Sequence, residues 1–200
     1  MIAELLISEA SVRRGGRVLF EGLSFALRPG EACALVGPNG SGKTSLLRAI
    51  AGLVRLEAGE IGFGGTDPAE ARASGLHFVG HQDGLKPART VREELEFWGR
   101  WAGGTPASVS QAAEAYDLVR LLDLEVRRLS AGQRRRLALS RTAAAERPLW
   151  LLDEPLSPLD ALWRERMGQA MARHLGGGGM ILAAVHDPLP IPAKTLDLGA

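Results

Sequence analysis

Two hundred residues, 46% hydrophobic and 24% charged, describe a globular chain large enough for one domain with a buried core. A net charge of +1 gives no electrostatic basis for a nucleic-acid partner. No apolar run reaches the roughly 20 residues that span a bilayer, "MIAELLISEA" is no secretory leader, and the single cysteine, Cys33, excludes an internal disulfide and reads as a buried thiol of a reducing compartment.

In chain order, "LSFAL" alternates with Leu23, Phe25 and Leu27 on one face, and "GEIGFGG" is a short glycine-bounded strand. Together they predict an N-terminal antiparallel sheet. "ACALVG" is apolar throughout and runs into "PNGSGKT"; the helix that follows places Leu46, Leu47, Ile50 and Leu53 on one face, with Gly52 near its end. "LHFVG" runs into "HQD", "LWLL" into "DEP" and "MILAAV" into "HDP". Such runs fit buried strands of a parallel sheet, whose ligands bind at the carboxyl ends of the strands. All four polar turns share that edge, so Lys43, Gln82, Asp153 and His186 are expected around one ligand.

Between Thr90 and about Ala145 the pattern is helical. "TVREELEFWGRWA" opens with a capping box, Thr90 and Glu93, and spaces Val91, Leu95, Trp98 and Ala102 along one face. Of the cluster Phe97, Trp98 and Trp101, part is expected in the helical core, with Trp101 the most exposed. "LSAGQRRRLALSR" carries a second capping box, Ser130 and Gln133, and a helix N-terminus so built suits an anion. The basic run Arg134–Arg136 reads as a solvated helix face. The expected fold is α/β: a mainly parallel sheet, an antiparallel β subdomain at the N-terminus and a helical subdomain over about 88–145 inserted in the core.

"GPNGSGKT" matches the phosphate-binding pattern G-x-x-x-x-G-K-[ST] between a strand and a helix. Its glycines let backbone N–H groups wrap phosphate oxygens, Lys43 reaches the β- and γ-phosphates, and the Thr44 hydroxyl ligates Mg²⁺. Asp153, at a strand tip, suits the Mg²⁺ shell, and Glu154 suits a general base for an attacking water. Gln82 is placed to touch Mg²⁺ or the water, and His186 to donate to charge developing on the γ-phosphate. His77, His81 and His174 read as structural or superficial.

These motifs, in this order, resemble the ATP-binding subunits of ABC transporters over essentially the whole chain. The resemblance assigns Gly37, Pro38, Asn39, Gly40, Ser41, Gly42, Lys43, Thr44 and Ser45 to the phosphate loop and Gln82 to the Q-loop. It assigns Leu129–Gln133 to the signature, Asp153 and Glu154 to the Walker B end, Asp160 to the D-loop and His186 to the switch histidine. It implies ATP and Mg²⁺ as ligands and a head-to-tail dimer. Ser130, Ala131, Gly132, Gln133 and Asp160 would then act in trans on the partner's nucleotide. Ala131 stands where many relatives have a second glycine. Where many carry an aromatic residue against adenine, the candidates here are Val12, Arg13 and Arg14, of which Arg14 is expected to cover the base or none does.

Within the family, "GHQDGLKPARTVREELEFW", "RPLWLLDEPLSPLDA" and "HDPLPIP…LDLG" resemble the haem-exporter ATP-binding subunits of cytochrome c maturation. That implies an integral membrane permease subunit and other maturation components as partners, at the cytoplasmic face of a bacterial inner membrane. The segments carry subfamily identity and no haem chemistry, so an exporter of another substrate remains the alternative. A tandem-cassette ATPase would need two such domains, a P-loop kinase would leave the signature unexplained, and a silent binding subunit is at odds with the presence of Lys43 and Glu154.

Overall fold

A computed structural model describes residues 2–199. Strand β1 (Leu5–Arg14) turns at Gly15–Gly16 into β2 (Arg17–Leu27). After β3 (Ala32–Val36) and helix α1 (Lys43–Ile50), strand β4 (Ala58–Gly62) returns to the other side of β1, giving an antiparallel sheet in the order β2-β1-β4. A short helical turn, α2 (Pro68–Glu70), leads to β5 (Leu76–Val79). Helices α3 (Val91–Ala102), α4 (Pro106–Ala115), α5 (Ala131–Leu139) and α6 (Arg141–Ala144) follow. Then come β6 (Leu149–Asp153), α7 (Ala161–Gly176), β7 (Met180–Ala184) and β8 (Lys194–Asp197). Strands β5-β6-β7-β3-β8, in that order, form a parallel sheet.

Period-two alternation divides the parallel strands between two cores. Trp150, Leu152, Ile181 and Ala183 face one way, onto Leu95 of α3, Leu137 of α5 and Met167 and Met171 of α7. Leu149, Leu151, Leu182 and Ala184 face the other, onto Leu46, Leu47 and Ile50 of α1 and onto Ile7, Phe20 and Leu27 of the antiparallel sheet. The parallel sheet is therefore buried on both faces, which is why its strands read as continuous apolar runs. Strand β8 has a weaker signature, with Lys194, Thr195 and Asp197 exposed, because it is an edge.

Both capping boxes form: Thr90 with Glu93 opens α3, and Ser130 with Gln133 opens α5. Leu53 does not share the apolar face of α1. The helix stops at Ile50, Gly52 turns the chain with φ 76°, and Leu53 is 64% exposed. The aromatic cluster of α3 splits. Trp98 donates to Glu94 Oε2 at 3.1 Å and lies under the Arg141 guanidinium, whereas Phe97 and Trp101 are exposed.

The solvated face expected for Arg134–Arg136 is wrong. Arg135 and Arg136 are buried, and each donates to backbone carbonyls: Arg136 to Tyr116, Arg135 to Gly80, Asp153 and Pro155. Helix α5 packs against the ends of strands rather than against water alone, so its apolar stripe is interrupted by guanidinium groups that satisfy carbonyl oxygens.

Candidate active site

The loop between β3 and α1 is shaped by glycines in the left-handed region, with φ 131° at Gly37, 83° at Gly40 and 108° at Gly42. At Gly42 the requirement is also steric, since a Cβ there would lie 2.9 Å from Phe20 Cδ1. Gly42 precedes α1 with no side-chain cap, so the first N–H groups of the helix remain available to an anion. Lys43 is buried, and its ammonium donates to the carbonyls of Gly37 at 2.6 Å and Pro38 at 3.1 Å. The lysine is thus folded back over the loop it would share with phosphate. Ser41 Oγ is buried beside it without a partner.

In the first turn of α1, the Thr44 hydroxyl donates to Asp153 Oδ1 at 3.2 Å. Asp153 ends β6 and is 2% exposed, and its Oδ2 is buried without a partner. A buried carboxylate oxygen left unpaired beside a hydroxyl is costly as it stands. It fits a hard divalent cation such as Mg²⁺, which takes one or two protein oxygens and fills its octahedron with phosphate oxygens and water. Among the described residues no three His, Cys, Asp or Glu side chains cluster into an all-protein metal site.

Glu154 follows in an uncommon conformation, φ 50°, with its N–H bonded to Ala184 O at 2.9 Å across the sheet. Backbone strain of this kind concentrates at functional positions. The turn aims the carboxylate at two imidazoles: Oε1 lies 3.1 Å from His186 Nε2 and Oε2 lies 3.4 Å from His81 Nδ1. Each carboxylate oxygen therefore faces one ring. His81 is superficial, as expected, with its side chain 65% exposed, and it also meets Glu154. The sequence signal for that contact is position, since His81 immediately precedes Gln82 at the ligand edge. His77 and His174 do serve structure. His77 bonds Ala145 O at 2.7 Å, and burial pushes its pKa down to about 4; His174 stacks on Trp150. Cys33 is buried, and desolvation raises its thiol to about 11.

The remaining candidates are placed less directly. Gln82 is exposed and lines a cleft of about 620 Å³ with Ser45, Arg48, Phe78 and Trp98, but makes no hydrogen bond to Thr44 or Asp153. Ser130 Oγ accepts from Gln133 N at 3.2 Å, and Gln133 Oε1 accepts from Ser130 N at 2.8 Å. Asp160 caps α7 by accepting from Trp163 N at 2.9 Å. Ala131 is exposed, and a side chain at Gly132 would meet Pro158 O at 3.1 Å, so the start of α5 lies against the segment leading to Asp160. Among the described residues no hydrogen bond or ion pair joins Ser130–Gln133 to the loop over 37–45 of the same chain. Of the three candidates for the base, Val12 is buried, Arg13 pairs with Glu57 at 3.1 Å, and Arg14 is exposed beside the hairpin turn.

The sequence profile described as "ABC transporter" matches residues 20–157. The chain belongs to the ABC transporter family. As an ABC ATP-binding protein it is an ATPase and binds nucleotide. It is 50% identical over 187 residues to the "cytochrome c biogenesis ATP-binding export protein CcmA" of Rhodopseudomonas palustris (strain BisB5), covering 94% of each chain. It is 48% identical over 186 residues to the protein of that name in Nitrobacter winogradskyi, covering 93% of each. An ABC transporter ATP-binding protein from Pyrococcus furiosus shares the fold, with a TM-score of 0.82 at 21% identity over 98% of this chain and 97% of that one. So does an ATP-binding cassette solved as a dimer after hydrolysis, bound to ADP and Pi, with a TM-score of 0.80 at 22% identity over 92% and 88%. Among the described residues no helix is long and apolar enough to cross a membrane.

Proposed function

We propose that this ABC ATPase is the energy-supplying subunit of a haem exporter of cytochrome c maturation. The observation that carries this is the 50% identity to a cytochrome c biogenesis export protein across 94% of both chains, with no large region of either unmatched. The chain works as a head-to-tail pair of copies at the cytoplasmic face of the inner membrane, beside an integral permease subunit and other maturation components. The segment over about 88–145 is its helical subdomain, and the permease contacts it near Gln82.

Each loop over 37–45 cradles the phosphates of ATP, with Lys43 leaving its carbonyl partners for the β- and γ-phosphates. Thr44 and Asp153 would hold Mg²⁺, which when bound neutralises phosphate charge. Ser130, Ala131, Gly132 and Gln133 of the other copy, with its Asp160, close over the γ-phosphate at the start of α5. Glu154 takes a proton from the attacking water, and His186, 3.1 Å from the carboxylate, turns its N–H toward the departing phosphoryl group. Loss of the γ-phosphate removes the charge both copies hold, and the pair opens.

The test is co-purification with the membrane subunits, followed by addition of Mg-ATP. ATP-dependent release of a haem-loaded chaperone, or haem movement across the membrane, supports the assignment and distinguishes its two outcomes. Normal cytochrome c maturation in cells whose only copy carries Lys43→Ala would overturn it.

A further inference from the structure

Arg135 takes no part in the nucleotide site, yet it is one of the most completely buried large side chains among the described residues. It projects from α5, five residues after Ser130. Its Nη2 donates to Asp153 O at 2.6 Å and its Nε to Pro155 O at 3.2 Å, the two carbonyls that flank Glu154. Its Nη1 donates to Gly80 O at 2.8 Å and to Asp83 Oδ1 at 2.9 Å, the groups that bracket His81 and Gln82. Arg141, from α6, adds a bond from Nη2 to Asp83 O at 2.6 Å. One guanidinium thus spans the carboxyl ends of β5 and β6 and fastens both to the helix that begins at the signature.

Burying a cation carries a desolvation cost that an apolar side chain of similar volume would not incur. The rigid fork offsets this only by meeting several acceptors at fixed angles, which an ammonium or an amide cannot do. Such a group holds its neighbours in register better than it stabilises the fold.

We propose that Arg135 is a positioning residue that makes the signature helix, the Glu154 turn and the Gln82 segment one mechanical unit. Nucleotide arriving at a copy's own phosphate loop then shifts the half-site which that copy lends to its partner. The lending rests on the head-to-tail dimer proposed above; the coupling within one chain does not.

The experiment compares Arg135→Gln and Arg135→Lys in the full-length protein. In steady-state hydrolysis, Arg135→Gln lowers kcat at least tenfold and leaves KM for ATP within about threefold, because Arg135 bonds neither Lys43 nor Thr44 and meets Asp153 only at its backbone carbonyl, not at the carboxylate that Thr44 contacts. Arg135→Lys recovers part of kcat. Amide exchange, measured on Mg-ATP-bound protein dilute enough to be monomeric, shows nucleotide-induced protection over 37–45 in every variant. Over 130–136 it shows protection in the wild type and none in Arg135→Gln. A purely structural role would lower Tm and the active fraction and leave the exchange response at 130–136 intact. That result, or a folded Arg135→Gln with wild-type kcat, overturns the proposal. If Arg135→Gln does not fold, Asp83→Asn serves, because Asp83 is partly exposed. It is expected to weaken the response at 130–136 and lower kcat a few-fold, and wild-type values for both overturn the proposal. Wild-type specific activity that does not rise with protein concentration would sink the dimer alone, since the exchange measurement is made on monomer.

Discussion

Glu154→Gln separates chemistry from binding. The carboxylate is bracketed by His186 at 3.1 Å and His81 at 3.4 Å, and glutamine keeps its length and one acceptor oxygen for an imidazole. What is lost is basicity. A positioned general base is worth roughly 10²–10⁴-fold, or about 2.7–5.4 kcal/mol of barrier. Nucleotide affinity is expected to stay within about threefold, because Lys43, Thr44 and Asp153 make their contacts without Glu154. Stability should hardly move: glutamine meets the same Cβ cost at φ 50°, so Tm is expected within about 2 °C of wild type. The assay is phosphate release under saturating Mg-ATP, with a fluorescent nucleotide titration alongside. Retention of more than a tenth of wild-type turnover would place the base elsewhere. Loss of hydrolysis through loss of binding would show that Glu154 shapes the pocket instead.

Gly42→Ala forces a side chain into φ 108° and to within 2.9 Å of Phe20 Cδ1. About 1–3 kcal/mol of strain lowers Tm by roughly 2–12 °C and weakens ATP binding by displacing the start of α1, readable by calorimetry and nucleotide titration. Acid should destabilise the fold through His77, whose pKa lies near 6.5 when unfolded and falls to about 4 when buried. Between those values the unfolded chain binds more protons, so stability is complete above pH 6.5 and declines by about 3 kcal/mol as pH falls to 4. His77→Gln should flatten that slope in urea titrations across pH, leaving the contribution of His174, whose pKa burial also lowers. A slope unchanged by the substitution would assign the effect to other groups. If Arg14 covers the base, ATP and GTP should be hydrolysed with kcat/KM within about threefold of each other, and Arg14→Ala should raise KM for both. A strong preference for ATP would refute that role.

The features legible in the sequence are those whose physics is local. The glycines and Lys43 of the phosphate loop, the apolar runs ending in polar turns, and the Thr90–Glu93 and Ser130–Gln133 boxes each act within a few residues of one another. Their geometry follows from spacing, and the parallel sheet then brings the polar turns to one edge. The tertiary structure alone decided the rest. Arg135 became a buried strap because carbonyls from Gly80, Asp153 and Pro155, 18 to 55 residues away in the chain, converge on it. His81 joined His186 on Glu154 because β5, β6 and β7 are neighbours. Leu53 is the exception: it fell outside the core for a local reason, since Gly52, already legible in the sequence, ends the helix one turn before its periodicity does. A guanidinium or an imidazole carries no label for water or interior. What it faces is settled by which distant backbone groups need a partner, and that is a property of the assembled sheet.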